Sequence, residues 1–273
     1  MMRGIRGFHG SAAALAAMAA VTALTLVTTA SCGLTGSSKR AKGRVPAAFR
    51  GGWEGKVTEK GHETGEILRI DIGRSKHTRS VKVRTTGPRS YCRAGGAFTS
   101  LSKYRVKYRA RPADSLPGKG SCEKGRTQGK QSLRKGDNGT LSWEADGATA
   151  ALHRAPDGNS PVDSHYRGTW RSAAADLTIT VHQGAIGTKS ATITRTSPGH
   201  HCTAPAYVAS ASRGSDGLIL SPMKLTDTKN PACRDSDASL TLNANPSAPY
   251  DRDSLVVGRL GDTRHGTTLT RVG

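Results

Sequence analysis

Apolar and polar residues alternate with a period of two along most of the chain beyond residue 50. "LRIDI" at Leu68–Ile72, "SVKVRT" at Ser80–Thr85, "LTITV" at Leu177–Val181 and "SATITR" at Ser190–Arg195 each put apolar side chains on one face and polar ones on the other. This is the pattern of a half-buried strand. "KYRVKYRAR" alternates over nine residues, sending Lys103, Arg105, Lys107, Arg109 and Arg111 to one face and Tyr104, Val106, Tyr108 and Ala110 to the other. No helical spacing follows Val27, and clusters such as "KGDNG", "SPG" and "GSDG" interrupt the runs at short intervals. The pattern predicts an all-β protein of antiparallel strands, six to eight in each domain.

Two domains are expected because the pattern occurs twice. "FRGGWEG" at Phe49–Gly55 recurs as "YRGTWRS" at Tyr166–Ser172, and "SVKVRTTGPRSYC" aligns without a gap on "SATITRTSPGHHC". "GATAALHR", ending at Arg154, matches "RHGTTLTR", ending at Arg271. A Trp motif opens each unit and a matching strand ends it, so the first and last strands are expected to pair and close a small β-barrel, with a β-sandwich as the alternative. Residues 47–155 form the first domain in this reading, 156–164 a Pro- and Gly-containing linker, and 165–273 the second domain. Trp53 and Trp170 are assigned to the two cores.

Ahead of the domains the pattern changes. Arg3 and Arg6 precede an uncharged apolar run of 16 residues, Ala12–Val27, followed by small residues up to Ser31. That order is an export signal, and the run is short for a bilayer-spanning helix, which needs about 20 residues. The signal peptide is placed at 1–31 and a flexible tether, rich in Gly, Ser, Lys and Arg, at 32–46. "TASC" resembles the lipobox of bacterial lipoproteins, with Thr29 where that pattern prefers Leu. The resemblance implies that Cys32 is lipidated and becomes the first residue of the mature chain, held on the extracellular face of the cell membrane. Ordinary cleavage after Ala30 is the alternative.

The cysteines agree with that assignment. There are five, and setting Cys32 aside leaves Cys92 and Cys122, 30 residues apart, and Cys202 and Cys233, 31 apart. One disulfide within each domain is expected. Aromatics make up only 4% of the chain, so each core is thin, and closing a loop of about 30 residues contributes on the order of 3 to 4 kcal/mol in the chain-entropy model. No CxxC spacing occurs, which argues against a thiolate metal site, and no metal or cofactor is expected.

Charge separates the two domains. The chain carries a net +21. Residues 47–155 hold 23 Lys and Arg against 10 Asp and Glu, whereas residues 156–273 hold 12 against 10. At matched outward positions Lys82 and Arg84 are replaced by Thr192 and Thr194, and Arg69 by Thr178. Because the second domain manages without these cations, an anionic partner is the expected reason for Arg69, Lys82, Arg84, Lys103, Arg105, Lys107, Arg109 and Arg111. A charged edge strand or a merely soluble surface is the alternative. Export makes nucleic acid an unsuitable partner, which leaves anionic envelope polymers or lipid headgroups.

Catalytic patterns are missing from the sequence. "RGSDG" is not a Gly-x-Ser-x-Gly elbow, His200 and His201 align with Ser90 and Tyr91, and Asp235, Asp237, Asp251 and Asp253 sit in turn-like segments. Asn138, in the sequon "NGT", reads as a hairpin turn. Over residues 47–273 the chain resembles the tandem Gly-x-Trp β domains, each with one cysteine pair, of actinobacterial lipoproteins and of the extracellular parts of some actinobacterial serine/threonine kinases. The resemblance implies a ligand-binding or sensory role at the cell surface, with no kinase part in this chain. The expectation is a non-catalytic binding module. A secreted hydrolase whose site assembles from residues distant in sequence is the alternative.

Overall fold

The computed structural model describes residues 43–75, 80–112, 127–211, 217–222, 233, 238–248, 251–262 and 266–272. The signal segment, Cys32, Cys122 and the tether up to residue 42 lie outside the described residues. Strands β1 (Gly51–Glu59), β2 (His62–Ile72), β3 (Ser80–Gly87), β4 (Ser90–Leu101), β5 (Arg105–Pro112), β6 (Gly129–Lys135), β7 (Leu141–Ala145) and β8 (Ala148–Ala155) form the first domain. The second contains β9 (Gly168–Ser172), β10 (Leu177–Val181), β11 (Ala191–Ser197), β12 (His200–Ala211), β13 (Leu218–Pro222), β14 (Leu240–Ala244), β15 (Ser254–Arg259) and β16 (Gly266–Val272). Within each domain every strand pairs antiparallel with the next in sequence, and β1 pairing β8 and β9 pairing β16 close the two sheets. Both domains are eight-stranded barrels, not sandwiches, and closure leaves no free sheet edge.

The alternation accounts for both interiors. Val81 and Val83 of β3, Val106, Tyr108 and Ala110 of β5, and Trp143 and Ala145 of β7 point inward and are buried in one cluster with Trp53. Two-residue turns set the register: Lys60–Gly61 and Asp146–Gly147 adopt positive φ at both positions, the geometry that matches strand twist in a tight hairpin. Eight-stranded barrels either fill their interior with side chains or hold one small ligand. Here large side chains occupy it: Tyr108 Oη donates to Gln131 Oε1 at 2.7 Å, and Trp143 Nε1 donates to the same oxygen at 3.0 Å. Burial pushes the Tyr108 phenol well above its ordinary value.

One end of each barrel is closed by the same device. Trp53 Nε1 donates to the Phe49 carbonyl at 2.9 Å and Trp170 Nε1 to the Tyr166 carbonyl at 2.8 Å. The Arg154 guanidinium lies 3.9 Å from the Trp53 ring centre and that of Arg271 lies 4.2 Å from Trp170. Each arginine also donates to a backbone carbonyl in the entering chain, Arg154 to Arg50 and Arg271 to Arg167. Gly51 and Gly168 are required here. Their φ values are +103° and +119°, and a β-carbon would come within 2.6 Å of Arg154 and 2.7 Å of Arg271.

The device reaches further back than the sequence boundaries allowed. Arg50 Nε donates to the Val45 carbonyl at 2.9 Å and Arg167 Nε to that of Val162 at 2.8 Å, and both valines are fully buried in their barrel's core. Val45 was assigned to the tether and Val162 to the linker. Each instead belongs to its barrel, because an apolar side chain beside the Trp plug is driven inward.

The disulfide expected in the second domain is present: Cys202 and Cys233, 31 residues apart, are bonded with Cα atoms 5.7 Å apart. Cys92 is buried at the start of β4, while its expected partner Cys122 is outside the described residues.

The two barrels lie in one compact unit, Ser38–Gly273, and pack side by side. Ile67 and Tyr91 on the outside of the first meet Tyr207, Ala209, Ile219 and Leu260 of the second. Tyr91 and Tyr207 stack with ring centres 5.1 Å apart. The contact is head-to-tail: the first barrel uses β1–β4, and the second uses β12–β13 together with Ser239 and Leu260.

Candidate anion-binding face

The eight cations singled out in the sequence fall into two groups. Arg69 and Arg84 are outward-pointing, as alternation requires, but the second barrel covers them and leaves them 2% and 7% exposed. Arg69 Nη1 bonds Glu54 Oε2 at 3.2 Å, and Arg69 Nη2 bonds Asp71 Oδ1 at 3.1 Å. Arg84 Nη2 pairs with the other oxygen of Asp71, and Ser210 of the second barrel donates to Glu54. Two guanidinium groups and two carboxylates balance, as buried charges must. These two arginines are therefore interbarrel contacts and do not belong to an exposed anion-binding face.

Lys82, Arg105, Lys107, Arg109 and Arg111 project from the outer surface of the first barrel, Arg105 half-buried and the others exposed. Pairing across the sheet arranges them. Lys82 lies opposite Gly95, which lies opposite Arg111; the open space beside Gly95 leaves the two cations flanking a slot. Arg109 sits directly opposite Lys130, and Arg105 opposite Arg134. Lys130 and Arg134 on β6 were not singled out from sequence, although "GKQSLRK" alternates and would have shown them. Lys103 departs from the expectation. It stands in the turn before β5, not on the strand, because the chain reverses over Ser102, Lys103 and Tyr104.

A depression of about 460 Å³ runs along this surface between Arg105, Lys107, Arg109 and Lys130, bounded on its far side by Glu144 and Asp146. Neighbouring side chains on one face stand about 7 Å apart along a strand, and adjacent strands about 4.8 Å apart. Like charges placed directly opposite one another repel. Among the described residues, none of Lys82, Lys107, Arg109, Arg111, Lys130 or Arg134 is in an ion pair. The arrangement can hold a multiply charged anion along the strand by several screened contacts.

The equivalent outer positions in the second barrel differ in both sets. Thr178 and Thr194 face each other across β10–β11, and Thr194 shares a hydroxyl contact of 3.1 Å with Thr203. On β13, the counterpart of β5, Ile219 is buried against the first barrel and Ser221 is fully buried. His200 and His201 are exposed on β12, His201 bonding Thr196 and Thr203 at 3.3 and 3.4 Å. No three of His, Cys, Asp and Glu converge to hold a metal ion among the described residues.

The fold and this face define a class: a tandem pair of closed up-and-down β-barrels with one cationic outer surface. No family model, curated protein or solved structure was found to match the chain.

Proposed function

We propose that the protein is a lipid-anchored, non-catalytic binding module on the extracellular face of the cell membrane, and that the outer face of its first barrel contacts anionic envelope material. The observation that carries the reading is the bank of exposed, unpaired cations on β3, β5 and β6. It has added weight because β12–β13 of the second barrel, the strands equivalent to β4–β5, form a contact surface too, occupied by the first barrel. In the first barrel that face is open and basic. Its likeness to tandem Gly-x-Trp lipoproteins and its export signal point to the same setting.

Replacing Lys107, Arg109, Arg111 and Lys130 together with threonine removes four exposed cations and keeps a β-branched residue on each outward strand position, as Thr192 and Thr194 are on β11. The variant should keep its unfolding midpoint, because none of the four is ion-paired. Retention on a polyphosphate or anionic wall-polymer matrix should fall at least tenfold, and wild-type retention should decline steeply as salt rises past about 0.15 M, where the screening length is about 8 Å. Unchanged retention would remove this face from the function.

The anchor is tested separately. Mass spectrometry of the mature N-terminus should find Cys32 carrying two or three acyl chains. An unmodified peptide beginning at Ser31 overturns the lipoprotein assignment.

A further inference from the structure

We infer that the end of the first barrel at which the chain enters is a docking surface for an anionic lipid bilayer, with Tyr104 as its interfacial anchor. The inference rests on the reading of an envelope protein tethered through Cys32, and it names which anionic material this end meets.

Tyr104 is 63% exposed, the one aromatic side chain so exposed among the described residues. Its position is built in by the turn that carries it. Ser102 N and Ser102 Oγ both donate to the Arg105 carbonyl, at 2.9 and 2.8 Å, and Arg105 N donates back to Ser102 Oγ at 3.0 Å. On the other side Lys135 N donates to the Tyr104 carbonyl at 2.9 Å, fixing the turn to the end of β6. A tyrosine held this firmly without covering any core is unexplained by folding.

Its surroundings are cationic. The Lys103 ammonium lies 5.3 Å from the ring centre. Arg105 and Lys135 flank the turn and Arg134 faces Arg105 across the sheet, while Asp137, in the neighbouring β6–β7 turn, and Asp157, after β8 and paired with Arg74, are carboxylates at this end. An amphipathic ring seated at headgroup level among Lys and Arg is the side-chain chemistry of a membrane interface. A soluble polyanion would use the cations and leave the ring without a role.

Topology puts this tip where a membrane would be. In an up-and-down barrel alternate turns lie at the same end, so the β4–β5 and β6–β7 turns share an end with the start of β1. The 3-10 helix that precedes β1, Ala47–Phe49, packs against β6 there. Val45 is 13 residues beyond Cys32. At no more than about 3.5 Å per residue, that length holds the entry point within about 45 Å of the acylated cysteine.

The test uses the chain begun at Gly33, which has no acyl chains and keeps every described contact of both barrels. In Tyr104→Trp the new indole is exposed, whereas Trp53, Trp143 and Trp170 are buried. With vesicles containing about a third phosphatidylglycerol, its emission should shift to the blue and be quenched by brominated acyl chains. Lys103→Gln with Lys135→Gln should lower vesicle binding about 30-fold, at roughly fivefold for each cation near an anionic surface. Polyphosphate is the second arm. Vesicle binding without shift or quenching overturns the docking surface. Binding to polyphosphate but not to vesicles overturns it too, while leaving the envelope-polymer reading intact. Binding to neither overturns both.

Discussion

Replacing Arg69 with methionine should destabilise the protein by about 3 to 5 kcal/mol, the usual cost of removing one partner from a buried ion pair. Methionine fills most of the space but takes from Glu54, 7% exposed, and from Asp71 the guanidinium that each of them shares. A urea melt should show the midpoint lowered by at least about 1 M, given slopes of about 1 to 3 kcal/mol per molar. Adding Glu54→Gln should recover much of the loss, because it removes the carboxylate left without its arginine. Retention of the folded variant on polyphosphate should be unchanged. A stable Arg69→Met variant with weakened retention would return Arg69 to the ligand face.

That variant also marks where sequence reasoning stops. Alternation along β2 and β3 correctly sends Arg69 and Arg84 away from the barrel interior, but periodicity describes one sheet and is silent about what lies against its outside. The signal was present in another form. Glu54 and Asp71 are carboxylates at outward positions beside those arginines, and Ile67, Tyr91, Tyr207 and Ile219 are apolar residues at positions where alternation calls for polar ones. Polar and apolar exceptions on one side of each barrel together describe a contact face. Barrel closure, by contrast, is legible because a Trp motif opens each unit and a matching strand ends it; in the structure the opening Trp and the closing Arg of each unit touch. The alternating run Lys103–Arg111 begins two residues before the strand does. Strand pairing begins only at Arg105, so Tyr104, assigned to the inner face, is instead at the tip.

The head-to-tail contact limits how the chain can associate. A heterologous interface repeats indefinitely unless its free ends are blocked. The free face equivalent to β12–β13 is the cationic one of the first barrel, and the free face of the second barrel equivalent to β1–β3 carries Thr178, Thr192 and Thr194. Among the described residues, neither repeats the set of Ile67, Tyr91, Glu54 and Asp71 or of Tyr207, Ala209 and Ile219 that joins the two barrels within the chain.

The Trp plug should be as costly to remove as the buried ion pair. Trp53→Ala is expected to destabilise the first barrel by about 3 to 5 kcal/mol, the range for deleting a large aromatic from a core. The ring is buried and does three things at once: it fills the centre of the barrel end, donates to the Phe49 carbonyl, and supports the Arg154 guanidinium. Without it Arg154 loses its aromatic partner and the segment Val45–Arg50 loses its seat. Trp170→Ala removes the matching contacts with Tyr166 and Arg271 from the second barrel, so its direct effect should be of similar size. The Cys202–Cys233 bond of the second barrel still restrains its unfolded chain after the substitution. Melts of Trp170→Ala with and without reductant should therefore separate, the reduced sample unfolding at clearly lower urea. Identical melts would mean that the disulfide contributes little and that the barrel core alone sets the stability of the domain.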